Sequence, residues 1–523
     1  MYLSFKQQKK KLLSLLGAGI LLCQISQGET HQEWVNRAML LQSEIGQNAP
    51  LNAQFQIGTH NSGISRYYVS DQEDGISKCG GSAAGTMACE DPNQVINLTD
   101  QLNQGARHIE FDLVQLFPDY PFRDKGHAMY ECHFHIKSGT SGAEAQALLN
   151  KVVCRSGALK DGNGEHYTQK MAQEINQWLN EHPHSLVYVY LDIGQLGVVR
   201  KSSQATSDMN NFINMLTASL SGKVLSKDDL NNIGFHINHD GATSLPVSKL
   251  TANDVIGKLK RQVIIIAKYN ALHGPSGGAD ERLNNPYIFS QVTDQNEVGI
   301  AGNVLSLPQD PGVSNFNDWQ KKSEFNCQDL QSHLYPSDGA HNGLWGINGD
   351  ATKASGGGSD VITMDNIKEL SQCPINYFAM DKLAQNDPRV EAAIWSWAAN
   401  YPQAVVDGVS NFAQIKVQND NAAVNQMVNN HDVSEAGVLC RSNDLVKPQW
   451  RILNGLTIDS SASAQVISDQ AKHLCQASGM LFGTPINPQQ MHDVLNVTKS
   501  QNQGTVILLN YQYDASQQRW ITQ

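Results

Sequence analysis

Six short, nearly unbroken apolar runs, each ending in a polar or charged residue, limit this chain more than any other feature. They pass through Ile57 to Thr59, Ile109 to Leu113, His127 to Ile136, Leu186 to Leu191, Val263 to Ala267 and Tyr377 to Met380. Helical periodicity lies between several of them, as in Tyr167 to Asn180, where Met171, Ile175 and Leu179 share one face. Continuously apolar strands separated by helices imply a parallel sheet covered on both faces. Two weaker runs, near Ile233 to Ile237 and Leu344 to Ile347, bring the total to eight. Eight such strands over residues 50 to about 400 predict an α/β fold, a distorted TIM (β/α)8-type barrel. Its site would lie at the C-terminal strand ends, where the polar residues recur.

The two ends of the chain have a different texture. Lys6, Lys9, Lys10 and Lys11 precede an apolar stretch from Leu12 to Cys23, and small or polar residues follow through Gly28. That order is the order of a secretory signal, so residues 1–28 are expected to be a signal peptide. The protein is then exported, to the periplasm or outside the cell. Beyond residue 405, Cys440, Trp450, Cys475, Phe482, Tyr511 and Trp520 recur in short β-like runs. Residues 406–523 are expected to form a small β-rich, disulfide-containing module, leaving 29–405 to the barrel domain.

Charge and cysteines narrow the possibilities further. Without its first 28 residues, which carry four lysines and no acid, the chain's formal charge falls from −12 to −16. So acidic a chain lacks the clustered Lys and Arg that nucleic acid requires, and it is poorly suited to broad adsorption on anionic lipid. Eight of the nine cysteines lie beyond the signal, and none has Cys-x-x-Cys spacing. Disulfides are therefore expected and a structural zinc site is not. Pairing by shortest loop gives 79–89, 132–154, 327–373 and 440–475.

The chemistry-bearing residues cluster early. His60, Asn61 and Ser62 follow the first strand, and Glu110 and Asp112 alternate to one face of the second, opposite Ile109, Phe111 and Leu113. Two carboxylates on one face of an apolar strand cost several kcal/mol to bury unpaired, so they ask for a cation. Together with His133, these residues read as one metal-assisted site for cleaving a phosphodiester. All-oxygen ligands from Asn and carboxylates suit a hard cation, Ca²⁺ more readily than Zn²⁺.

Thr59-His60-Asn61-Ser62, then Gln101 to Arg107 leading into Glu110-Phe111-Asp112, then Cys132-His133, resemble in that order the catalytic X region of phosphatidylinositol-specific phospholipases C. The likeness is to the secreted microbial branch and spans roughly residues 50 to 390. It implies a distorted TIM barrel and acid–base chemistry by two histidines, here His60 and His133. It also implies that Asn61, Glu110 and Asp112 hold Ca²⁺, with Asp192 where a fourth acidic ligand stands. The metal-independent members carry an arginine where Asp112 lies, so the resemblance favours the metal-dependent type. The implied partners are a phospholipid or its head group and, transiently, a membrane surface; no nucleic acid or obligate protein partner is implied.

Other readings of the same residues stay open. His135 alternates to the same face as His133 and could line the site beside it. Lys268 is either a contact for substrate phosphate or an ordinary solvated lysine. Glu110 and Asp112 could instead form an ion pair with Arg107 or a lysine. The segments Tyr67 to Glu90 and Phe117 to Lys125 are long departures from the family pattern. They leave head-group specificity open. A glycerophosphodiester or sphingolipid phosphodiesterase on the same barrel is the alternative activity. An inactive barrel with a lectin-like or lipid-binding role is the alternative class.

Overall fold

The computed structural model describes residues 29–63, 65, 87–88, 93–115, 129–131, 135–136, 167–193, 203–237, 245–267, 285–289, 344, 346–348, 362–373, 375–405, 408–418, 427–430 and 432–522. The chain forms two compact units. One spans Pro50–Ala393 and the other joins the N-terminal segment up to Ala49 with Ile394–Gln523.

Among the described residues the first unit holds an eight-stranded sheet, seven strands of which form its main path: β1 (Gln56–Thr59), β2 (Ala106–Gln115), β3 (Val187–Ile193), β4 (Val263–Ala267), β5 (Ile288–Phe289), β6 (Gly346–Asn348) and β7 (Tyr377–Met380). Their order is β5-β4-β3-β2-β1-β7-β6, and every neighbouring pair is parallel. The fold is therefore α/β with a parallel sheet, as the apolar runs predict. Chain order and spatial order agree from β1 to β5, and the last strand returns to lie beside the first.

Two expectations are corrected. Ile233 to Ile237 is not a strand. It follows the helix Lys227–Asn232, and Gly234, at φ +94°, turns the chain so that Phe235 N–H bonds back to the Leu230 carbonyl. A left-handed glycine after a helix satisfies its last carbonyls, and the apolar residues there cap the helix end. In the run from His127 to Ile136 the described residues form no parallel strand: Met129–Glu131 pairs antiparallel with β2, and His135–Ile136 pairs antiparallel with Met87–Ala88. The two-residue β5, parallel to β4, is not anticipated by the sequence reading. The short helix Leu98–Asn103 is capped by Asn97, whose side chain accepts from Asp100 N.

Strand alternation builds two apolar layers. Ile109, Phe111, Leu113, Val187, Val189 and Leu191 face the helices Leu98–Asn103, Tyr167–Glu181 and Ser203–Ser219. Tyr188, Tyr190, Ile264, Ile266 and Phe289 point to the opposite side, where Leu225, Leu230, Val247 and Leu250 close a second layer. β4 and β7 are thus buried on both faces, which is why they read as apolar throughout.

A ladder of rings runs across that second face. His108 stacks on Tyr188 at 4.4 Å and on Tyr377 at 4.0 Å, nearly parallel to both. Glycines make the ladder possible. A Cβ at Gly58 would lie 2.6 Å from His108 Cβ and 2.7 Å from its carbonyl oxygen, and the Tyr377 ring occupies the place of a side chain at Gly346.

The second unit holds a six-stranded sheet whose main path is Phe412–Lys416, Val506–Asp514, Glu435–Arg441 and Trp450–Thr457. Two helices, Ala464–Gln476 and Pro488–Thr498, accompany it. Cys475, in the first of these helices, is disulfide-bonded to Cys440 in the sheet, the pairing the shortest-loop rule gives. The helix His31–Glu44 is part of this unit: Leu41 O accepts from the Tyr511 hydroxyl and Trp34 Nε1 donates to Tyr401 O. Trp397, Tyr511 and Trp520 pack together edge-on and tilted in its interior.

Burial pushes the His108 imidazole down to about 3 from 6.5, so the folded protein keeps it neutral where the unfolded chain would charge it. Its contribution to stability is complete above about 6.5 and is lost as the pH falls towards about 3. The loss approaches about 1.4 kcal/mol per pH unit. In urea unfolding at a series of pH values, His108→Phe is expected to keep the stacked shape and flatten this slope relative to the parent. Equal slopes would assign the acid sensitivity to other groups.

Candidate functional site

The C-terminal ends of β1, β2 and β7 meet at one place. Thr59 pairs with Ile109 on one side and Met380 on the other, so the residues that follow, His60 and Asp381, leave the sheet together. His60 Nδ1 lies 3.0 Å from Asp381 Oδ1. The Asp381 side chain is 1% exposed, and the imidazole remains 15% exposed. A carboxylate can only accept, so Nδ1 carries the proton and donates it to Asp381. Nε2 then lies 4.0 Å from Glu110 Oε2, beyond a hydrogen bond and within ionic range only of a protonated ring.

The turn after β1 hangs on Glu110. Asn61 has φ +44°, a left-handed conformation that Asn tolerates better than most residues. This orients its backbone N–H to the Glu110 carboxylate at 3.2 Å, while Ser62 N–H donates to the Glu110 carbonyl at 2.7 Å. Ser62 Oγ donates to Thr59 O and accepts from Glu110 N–H, both at 2.8 Å. Gln101, buried on the neighbouring helix, accepts from Thr59 Oγ1 and donates to the Ser62 carbonyl. The motif from Thr59 to Ser62 and the Gln101 run are thus parts of one hydrogen-bonded frame.

Two groups absent from the sequence-based site complete it. Asp381 ends an apolar strand in a carboxylate, the signal that singled out Asp192, and it was available by the same rule. Asn93 and Gln94 lie in a stretch with no periodic pattern. Their side chains reach Asp381 and the ends of β1 and β7. Arg389 supports the same loop from behind, donating to the carbonyls of Asp381 and Lys382. Burial alone would push the Asp387 carboxyl up, but its hydrogen bonds, chiefly from Arg389, outweigh burial and hold it below the ordinary range.

Of the expected site residues, His60, Asn61 and Glu110 are brought together. Asp112 and Asp192 are neighbours in the backbone register of β2 and β3, two positions beyond Glu110 and its partner Tyr190. His135 lies in the short strand His135–Ile136, paired with Ala88. His133 and Lys268 lie outside the described residues. Among the described residues no three His, Cys, Asp or Glu side chains are grouped to hold a metal. The Asn61 side-chain amide nitrogen is buried without a hydrogen-bond partner there, on the residue whose backbone N–H binds the Glu110 carboxylate. Turned about its last bond, that amide presents its oxygen in the same place. Asn61 and Glu110 thus fit as part of an oxygen ligand set for a hard cation.

Chemically, a partly exposed imidazole with one nitrogen fixed on a buried carboxylate is an acid–base group. Its orientation is set by the partner rather than by solvent.

No protein-family model matches the chain, and no curated protein matches it in sequence. Among solved structures, it is similar to a phosphatidylinositol-specific phospholipase C from Listeria monocytogenes. That likeness is 13% identical, covers 70% of this chain and 98% of the other, and has a TM-score of 0.32. Phosphatidylinositol-specific phospholipase C structures from Staphylococcus aureus are similar too. One, with pentafluoro-Phe incorporated, is 10% identical over 69% of this chain and 98% of its own, with a TM-score of 0.35. Another is 11% identical over 69% and 98%, with a TM-score of 0.33.

Ser62→Ala would leave the buried Glu110 N–H without its acceptor, which is expected to lower the unfolding free energy by about 1–3 kcal/mol. Chemical denaturation at neutral pH measures this, and an unchanged midpoint would remove Ser62 from the frame.

Proposed function

We propose that the protein is an exported, calcium-dependent phosphodiesterase of the phospholipase C type, cleaving the phosphodiester of phosphatidylinositol or a related phospholipid. The observation that carries this reading is the His60–Asp381 pair at the strand ends, with Glu110 beside Nε2. In this reading the parallel sheet closes between β5 and β6 into a distorted (β/α)8-type barrel. The strand-end site then lies at its mouth. The order of charged, apolar and small residues before residue 29 supports export.

His60 is the general base: Asp381 holds the Nδ1–H tautomer and stabilises the imidazolium that forms when Nε2 takes a proton from the attacking hydroxyl. His133 is the proposed acid for the departing oxygen. Asn61, Glu110, Asp112 and Asp192 are the proposed ligands of Ca²⁺, and Lys268 and His135 the proposed substrate contacts. When bound, the ion supplies positive charge against the phosphoryl oxygens and makes the attacking hydroxyl more acidic. On an inositol lipid with its 2-hydroxyl attacking, the P–O bond to diacylglycerol breaks and a cyclic inositol phosphate forms.

The test is release of water-soluble phosphate ester from phosphatidylinositol vesicles, with and without EDTA. Turnover is expected to fall about 10²- to 10⁴-fold in His60→Ala and in Asp381→Asn, and to vanish in chelator and return with calcium. Full activity in EDTA would overturn the metal assignment and leave the histidine standing. A choline or glycerol phosphate product would redirect the substrate, and wild-type turnover in His60→Ala would overturn the reading as a whole.

A further inference from the structure

We propose that Asn93 is a positioning residue for the His60–Asp381 pair, its amide fixing the Asp381 carboxylate in the orientation that receives the imidazole. The proposal rests on the acid–base reading of that pair and goes beyond it by assigning the residue that sets its geometry.

Asn93 is completely buried, with Nδ2 3.0 Å from Asp381 Oδ1 and 3.4 Å from His60 Nδ1. The same Asp381 oxygen lies 3.0 Å from His60 Nδ1. Two donors therefore converge on one acceptor atom. The other tautomer of His60 would let Nδ1 accept from Asn93, but it would set a ring lone pair against the Asp381 oxygen. With the proton on Nδ1 all three groups are compatible, and the 3.4 Å contact is simply two donors side by side.

The segment carrying Asn93 is fastened so that its amide has little freedom. Asn93 O accepts from Lys382 N–H at 2.6 Å. The adjacent Gln94 amide donates to His60 O at 2.7 Å and to Met380 O at 2.8 Å, and accepts from Leu383 N–H at 3.2 Å. These bonds tie the segment to the main chain after β1 and after β7. Gln94 therefore fixes the backbones of the two chemical residues, and Asn93 fixes the side chain of one of them.

A second observation separates positioning from packing. Asn93 Oδ1 is buried without a hydrogen-bond partner among the described residues. An orphaned buried carbonyl opposes folding, and a leucine of similar shape would avoid it. Asparagine at this place is explained by what Nδ2 does for Asp381. A second donor on the same oxygen narrows the rotation of the Asp381 carboxylate about its Cβ–Cγ bond. The imidazole then keeps Nε2 towards the open side of the site and loses less entropy on reaching the reactive arrangement.

The test compares the full-length parent with Asn93→Leu, Asn93→Asp and His60→Ala on phosphatidylinositol in mixed micelles with calcium. Asn93→Leu is expected to lower kcat by about 10- to 100-fold, the value of one hydrogen bond to a charged group. KM should stay within about threefold, since substrate binding is not touched, and rates are compared where both proteins are folded, because the lost bond to the buried Asp381 carboxylate also lowers stability. Asn93→Asp keeps the shape and puts a second negative charge beside His60 Nδ1. It should lower kcat and move the acid limb of the kcat/KM profile to higher pH. Parent-like kcat in Asn93→Leu, or a parent-like pH profile in Asn93→Asp, overturns the proposal. Should Asn93→Leu fold poorly, the Asn93→Asp profile decides. Loss of turnover in His60→Ala with both Asn93 variants at parental rates overturns the role of Asn93 and leaves the pair standing; full turnover in His60→Ala removes the pair, and Asn93 with it.

Discussion

The site exists because the last strand of the sheet lies beside the first. Thr59 and Met380 are opposite one another in a parallel register, so the residues that follow them meet although 321 positions separate them in the chain. A shift of one residue in that register would turn Asp381 to the other face of the sheet. The polar frame around Ser62 and the two amides of Asn93 and Gln94 then hold the two strand ends in place. Most of these bonds are buried, and a buried one is costly to leave unmade.

Much of the first unit could be read from its residues because the strands are apolar on both faces and the helices between them keep their period. His60, Asn61 and Glu110 could be read for the same reason, as polar groups at places where an apolar run stops. Other features depended on information that a linear pattern lacks. Ile233 to Ile237 is as apolar as a strand, but Gly234 bends it into a helix cap. The two residues of β5 are too few for any period to show. Asp381 was visible as a strand end, but only the β1–β7 pairing says which imidazole it meets. Asn93 and Gln94 have no local signature, because their role is fixed by main-chain carbonyls that come from both ends of the unit.

The second face of the sheet combines two demands. The aromatic ladder of Tyr188, His108 and Tyr377 fills the space below the site with flat rings, and glycine at positions 58 and 346 lets the strands and rings approach. One layer higher, the same strands present Glu110 and the groups that bind it. A rigid apolar floor under a polar frame holds the frame's donors and acceptors where solvent would otherwise compete for them.

The helix His31–Glu44 has a different consequence. It precedes the whole of the α/β unit in the chain, yet its hydrogen-bond partners Tyr401 and Tyr511 follow that unit. The α/β unit is therefore an insertion in a discontinuous domain, with both of its ends returned to the same neighbour. During synthesis this helix emerges first and waits for nearly the entire polypeptide before its apolar side can be covered. Completion of the terminal domain is consequently a late, chain-length-dependent event, and shortening the C-terminus strips cover from a segment at the opposite end of the sequence.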